Sequence, residues 1–367
     1  MRLAALALLL LAAVLGGAFA APLASPVGNP KALAVETDGT GRGDPEFVRG
    51  VALGLFATDR RWDYGPLVDE IRARGATDVL VVVNAYQSNR FSSDIALEAG
   101  RSPSNATVAR TLRQVKKAGM RAALMPVVRL SERAPHEWRG LIAPADGLDA
   151  WFEAYRRFVL PLAHLAGEAG VERFIAGSEL SSLERYEDHW RELFAELRDA
   201  FSGTLTYSAN WDHADAVPFW DALDEVGLTA YFPLITEEGE PKPASADTLA
   251  GAWQTPRATI EALAKRVGKP VLITEIGYAS RSLAAGRPWD DATEAAVDLG
   301  LQQALYRGFC DAFAQTPSIG GFYVWNWFGV GGPRDRGFTP RGKPAASELA
   351  KCFARPWPAP ADAGNRS

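Results

Sequence analysis

The sequence predicts an α/β fold built as a single (β/α)8 TIM barrel, and three observations carry that expectation. Eight short apolar runs recur along the chain, segments of helical period separate them, and no glycine-rich phosphate turn follows the first run. Alternation of this kind is the signature of βα units around a parallel sheet. Eight units favour closure into a barrel over an open doubly wound sheet. The latter would more often carry a glycine-rich turn where this chain has Leu55-Phe56-Ala57-Thr58-Asp59.

Taken in order, the predicted strands are 48–56, 79–84, 122–128, 173–177, 205–210, 225–231, 271–275 and 320–325. Predicted helices between them cover 64–74, 105–117, 148–166, 185–201, 246–267 and 293–313. The 105–117 segment places Val108, Leu112 and Val115 on one stripe that should face the sheet. Ser104 in front of it reads as a helix cap, a simpler reading than a glycosylation sequon at Asn105-Ala106-Thr107. The longest connections, 86–104, 130–147, 232–244 and 279–291, all follow strand C-termini, where a barrel builds its active site.

The chain ends read differently. Residues 1–20 resemble a secretory signal: Arg2 gives the positive start, Leu3 to Leu15 is almost wholly apolar, and Ala18-Phe19-Ala20 fits a small-x-small cleavage site. The run is shorter than the roughly 20 residues a bilayer span needs. We therefore expect a secreted or periplasmic protein with no membrane attachment after signal cleavage. A Pro/Gly/Ala-rich arm at 21–46 precedes the barrel at 47–354, and Pro356, Pro358 and Pro360 mark 355–367 as a flexible tail.

Composition excludes several function classes. A 47% hydrophobic chain is not a disordered one, and 39 Lys and Arg against 44 Asp and Glu leave no basic balance for nucleic acid. Cys310 and Cys352, in the last two helical segments, are either paired or two buried thiols. The histidines, His136, His164, His189 and His213, show no ligand spacing, so no metal and no cofactor are expected. Absence of a Gly-x-Ser-x-Gly elbow removes support for a serine hydrolase. We expect a monomer.

Two strands stop on a carboxylate. Phe174 to Ser178 leads into Glu179, and Val271 to Thr274 leads into Glu275. A glutamate closing an apolar strand is costly to bury unless solvated or paired, so both should lie at the barrel mouth, across one small opening. Two facing carboxylates suit glycoside hydrolysis, one protonating the leaving oxygen while the other attacks the anomeric carbon or activates water. The competing structural reading pairs them with loop arginines such as Arg129 or Arg281. Aromatic residues collect at the same mouth: Trp211, Tyr231, Trp325 and Trp327 end or follow strands, and Trp138 and Trp289 lie on long connections. Indole faces suit the apolar C–H faces of sugars. Trp325 is the candidate floor beneath the cleaved sugar, and Tyr231 a phenol donor to Glu275. Asn84, Asn210 and Arg129 are candidates for sugar hydroxyls or the carboxylates. Trp151, Trp190 and Trp220 fall in helical segments and are assigned to packing.

With these residues identified, the chain resembles the family 113 glycoside hydrolases, retaining β-mannanases of the large (β/α)8 clan whose acid/base and nucleophile follow strands four and seven. The likeness rests on blocks in order: Trp138-Arg139-Gly140, Ala150-Trp151-Phe152, Gly177-Ser178-Glu179-Leu180, Leu205 to Asp212, Phe219 to Leu223, Ala230-Tyr231-Phe232-Pro233, Gly268 to Val271, Thr274 to Tyr278, and Trp325-Asn326-Trp327. The resemblance implies Glu179 as acid/base and Glu275 as nucleophile. It also shows a departure: much of the clan has Asn before the acid/base, binding the sugar 2-hydroxyl, where this chain has the shorter Ser178. The expected function is retaining hydrolysis of a β-1,4-linked mannan or related polysaccharide or oligosaccharide. The alternatives are a barrel that binds glycans without cleaving them, or the same chemistry on a β-glucan or amino-sugar polymer.

Overall fold

A computed structural model describes residues 46–235, 245–290 and 292–358, all within the unit Asp44–Ser367. The predicted signal, the arm up to residue 45, the end of the 232–244 connection and the tail beyond 358 lie outside the described residues.

Strands β1 (Val48–Gly54), β2 (Asp78–Gln87), β3 (Arg121–Leu130), β4 (Arg173–Ser178), β5 (Thr204–Ala209), β6 (Val226–Thr229), β7 (Val271–Ile276) and β8 (Ile319–Val324) follow one another around a closed barrel, each parallel to its neighbours. β8 returns to β1, so no sheet edge remains open. Helices α1 (Gly65–Ala73), α2 (Asn105–Lys117), α3 (Leu148–Glu168), α4 (Glu187–Ala200), α5 (Ala246–Ala252), α6 (Gln254–Val267), α7 (Leu299–Phe313) and α8 (Pro344–Phe353) lie in the connections.

Strand alternation divides the core. Val48, Ala52, Leu80, Val82, Ala123, Met125, Val127, Ile175, Leu272 and Tyr323 fill the barrel interior, while Val51, Leu53, Val79, Val81, Val83 and Leu124 pack outward against the helices. Every strand buried on both faces reads as a nearly continuous apolar run, which is why these segments stand out in the sequence. The interior rows end upward in polar residues: Asn84 shares the parity of Leu80 and Val82, and Arg129 that of Met125 and Val127. At the opposite, N-terminal end, ion pairs plug the barrel. Arg121 forks onto the buried Asp78 at 2.7 and 2.9 Å, and Arg173 forks onto Glu225 at 2.5 and 3.1 Å.

Four local expectations are corrected. The 246–267 helix is two helices meeting at Trp253, because Pro256 has no N–H to offer the carbonyl of Ala252 and the chain restarts with proline in its first turn. Helix α7 starts at Leu299 rather than 293, where Asp298 caps it by accepting from Leu301 N–H at 2.8 Å. The tail is docked at its start: Trp357 stacks on Phe47 with ring centroids 4.7 Å apart and donates to the Cys352 carbonyl. Trp327 turns away from the mouth, fully buried, and donates to Glu70 at 2.9 Å. Two open points resolve as well: Ser104 accepts from Thr107 N–H as a cap, and Cys310 and Cys352 form a disulfide between α7 and α8. Trp151, Trp190 and Trp220 are buried packing residues.

Candidate active site

The two glutamates reach the mouth through irregular strand ends. On β4, Ile175 points inward and Ala176 outward. Gly177 also faces outward: a Cβ there would meet the Tyr155 hydroxyl at 2.9 Å and the Tyr207 ring at 3.0 Å. That extra outward residue matches a register shift between Ile175 and Ser178, and it returns Ser178 to the inside. Glu179 follows with φ 53°, a left-handed conformation that residues with side chains rarely adopt. Its N–H is held by the Ser208 carbonyl at 2.8 Å. On β7, Leu272 faces in and Ile273 and Ile276 face out, so plain alternation would turn Glu275 outward. Register shifts against both β6 and β8 turn it in.

These bends bring the carboxylates into one hydrogen-bonded group. Glu275 Oε1 accepts from Ser178 Oγ at 3.4 Å, and Glu275 Oε2 accepts from the Tyr231 hydroxyl at 3.0 Å. Arg139, on a 3-10 turn over Arg139–Leu141, donates to Glu179 Oε2 at 2.6 Å and to the Ser178 carbonyl at 3.0 Å. The turn itself is fastened to the chain beyond β4: Ser182 N–H donates to the Gly140 carbonyl and Ser182 Oγ to the Ile142 carbonyl. Glu179 therefore pairs with an arginine, Arg139. The side chain of Arg281 is spent on the backbone carbonyls of Arg336 and Thr293.

Burial sets the electrostatics. Glu275 is 3% exposed, and loss of solvation together with the Glu179 charge pushes its carboxyl up to about 8; Arg139, Tyr231 and Ser178 oppose that rise. Burial first, and then the two carboxylates, hold the Tyr231 phenol well above 10, so it stays protonated and donates. The Glu179 charge and the Arg139 guanidinium thus act on Glu275 in opposite directions, so its ionisation is tied to its neighbours in the mouth.

The remaining predicted residues take several positions around this centre. Trp325 is half-buried above the interior cluster, 6.2 Å from the Phe56 ring, and a cis peptide joins it to Asn326. Trp211 and Trp289 stack with centroids 6.5 Å apart and planes 21° apart, and Trp211 also meets Phe232, giving one aromatic wall from the connections after β5, β6 and β7. Trp289 is half exposed, an open indole face. Trp138 lies with its ring against Gly140, beside the Arg139 turn. Asn210 is committed at both ends of its amide, donating to Asp212 at 2.6 Å and accepting from Thr229 at 3.2 Å. Asn84 is buried at the top of β2 and Arg129 exposed at the top of β3. Among the described residues, no group of three or more His, Cys, Asp or Glu is arranged to hold a metal ion.

Sequence reasoning missed the roles of Arg139 and Ser178 as direct partners of the carboxylates. Both stand inside blocks that carried the family resemblance, but no local pattern ties residue 139 to the end of a strand 40 positions later.

The sequence model described as Glycoside Hydrolase Family 113 matches residues 61–334. Among solved structures, a complex of a family 113 β-1,4-mannanase superposes with a TM-score of 0.75 at 25% identity, covering 84% of this chain and 99% of that one. A family 113 β-mannanase from Alicyclobacillus acidocaldarius, in complex with ManMIm, gives 0.73 at 25% identity, covering 84% and 97%. A Faecalibacterium prausnitzii β-glucuronidase at 16% identity shares the fold, with a TM-score of 0.59 over 85% of this chain and 49% of its own. No curated protein matches the chain.

Proposed function

The chain belongs to glycoside hydrolase family 113 and is a glycoside hydrolase; on that premise we propose that it cleaves β-1,4-linked mannan with retention of configuration, and does so outside the cytoplasm. The observation that carries the reading is the pair of carboxylates Glu179 and Glu275 at the ends of β4 and β7, each with its own hydrogen-bond partners. Glu275 is the nucleophile. Tyr231 donates to one of its oxygens and Ser178 to the other, which aims the carboxylate at the anomeric carbon and favours its charged form. Glu179 is the acid/base: as the carboxylic acid it protonates the leaving oxygen, and as carboxylate it then takes a proton from the water that releases the glycosyl-enzyme.

The Trp211 and Trp289 stack and Trp325 are the surfaces for sugar faces, and Ser178, Arg139, Asn84 and Arg129 the polar groups within the same mouth. The neighbouring mannanases in the same family support mannan as the polymer. The signal-like residues 1–20 and the Cys310–Cys352 disulfide support export to an oxidising compartment.

The test is reducing-sugar release from soluble mannans, glucans and xylans by the mature protein, with product anomers followed by NMR. We expect release from mannan with the β-anomer formed first, abolished in Glu275→Ala and reduced roughly 100- to 10,000-fold in Glu179→Ala. Initial formation of the α-anomer would replace retention by inversion, and retained binding with no release would replace hydrolysis by capture.

A further inference from the structure

The connection after β4 carries another buried carboxylate, one that the hydrolysis itself does not consume. Glu184 is 4% exposed, and its Oε1 accepts from the Tyr207 hydroxyl at 2.9 Å. The same phenolic oxygen accepts the backbone N–H of Leu180 at 2.8 Å. A phenol has a single proton, so an oxygen that receives an N–H must send its own proton elsewhere, and here Glu184 takes it. Tyr207 has no freedom to reorient: it is fully buried, wedged edge-on against Trp190 and Phe219.

Leu180 is the residue immediately after Glu179, whose backbone holds the left-handed φ of 53°. That conformation is fixed on one side by the bond from Glu179 N–H to Ser208 and on the other by the bond from Leu180 N–H to Tyr207. We propose that Glu184 is a positioning residue for Glu179: it orients the Tyr207 hydroxyl as the acceptor that pins Leu180, and so sets the turn from which Glu179 reaches the leaving oxygen. The proposal rests on the reading of Glu179 as acid/base.

The surroundings of Glu184 agree with a role at the site. Tyr207 faces it from β5, Asp212 and His213 from the connection after β5, and Glu179 from the end of β4. Burial raises its carboxyl to about 7, opposed by Tyr207 and His213 and reinforced by the Glu179 and Asp212 charges. Glu184 is thus in electrical contact with the proposed acid/base.

A misaimed acid costs most when the leaving group needs its proton. The experiment therefore compares kcat/KM on a β-1,4-manno-oligosaccharide, a poor leaving group, with kcat/KM on a 2,4-dinitrophenyl β-mannoside, a good one, for the full protein and for Glu184→Gln, Tyr207→Phe and Glu179→Gln. For Glu184→Gln and Tyr207→Phe we expect a loss of about tenfold or more on the oligosaccharide and less than about twofold on the aryl glycoside. Equal losses on both substrates, or none on either, overturn the proposal. If Glu179→Gln shows the leaving-group dependence and the other two variants do not, the proposal alone falls. If Glu179→Gln lacks it, the acid/base reading falls and takes the proposal with it. Should Glu184→Gln fail to fold, Tyr207→Phe, which deletes only the hydroxyl, carries the same comparison.

Discussion

Glu275 is held between opposing forces, and its response to pH follows from them. Burial and the Glu179 charge raise it to about 8, while Arg139, Tyr231 and Ser178 pull it down. Below about 8 the Glu275 carboxyl carries a proton, and above it the group is charged. The kcat/KM profile should therefore show an ionisation near pH 8. Arg139→Gln removes a positive charge that lowers the Glu275 carboxyl, so that ionisation should move to higher pH, a shift that pH-rate measurements on the variant would detect. The stability of Glu184 gives a separate readout. Its carboxyl rises from 4.5 to about 7 on folding, so the native chain holds a proton the unfolded chain has released. The resulting stability is fully present below about pH 4.5 and is lost as pH rises through 7, on the order of 3 kcal/mol. Glu184→Gln cannot titrate, and its urea midpoint should decline less than that of the native protein between pH 5 and 8.

At the level of the elements, the two catalytic strands work because they are irregular. Gly177 allows β4 to turn two successive residues outward, since a bare Cα fits where the Tyr155 hydroxyl and Tyr207 ring close in. Gly177→Ala should destabilise the fold by about 1–3 kcal/mol through overpacking and lower kcat by displacing Ser178 and Glu179, which thermal unfolding and initial rates would measure separately. This is also where legibility in the sequence ends. The eight strands were readable because a strand covered on both faces is apolar along its length, and α2 was readable to the residue because Ser104 caps it and Val108, Leu112 and Val115 mark its buried stripe. Glu179 and Glu275 stood out as carboxylates closing such runs. Their inward direction did not, because the register shifts that turn them depend on pairing with β5, β6 and β8. Arg139 was equally hidden: its approach to Glu179 is fixed by Ser182 bonding back to the 3-10 turn, a tertiary contact with no local signature. The break at Trp253 and the late start of α7 were missed for a different reason, since helical composition continues through both places and only Pro256 and Asp298 interrupt it.

On the scale of the whole molecule, chemistry and stability occupy opposite ends of the barrel. The C-terminal mouth holds charges left partly uncompensated for catalysis, while the N-terminal end closes with the Arg121–Asp78 and Arg173–Glu225 pairs and the docking of Trp357 on Phe47. Breaking a buried pair strands its partner's charge, so Glu225→Ala should cost about 3–5 kcal/mol while leaving the pH-rate profile unchanged. The disulfide acts on the closure of the whole ring. It joins α7, which precedes β8, to α8, which follows it, across a separation of 42 residues, and so encloses the strand that pairs back onto β1. A cross-link of that span restricts the unfolded chain by about 4 kcal/mol in the chain-entropy account. Its contribution lies in the unfolded state and its sulfurs are buried in the outer layer, away from both glutamates. Reduction should therefore lower the melting temperature by several degrees and leave kcat at 25 °C unchanged, as thermal unfolding and activity with and without reductant would establish. A loss of activity that ran ahead of unfolding would instead mean that β8, and with it Trp325 at its end, depends on the cross-link for its place in the mouth.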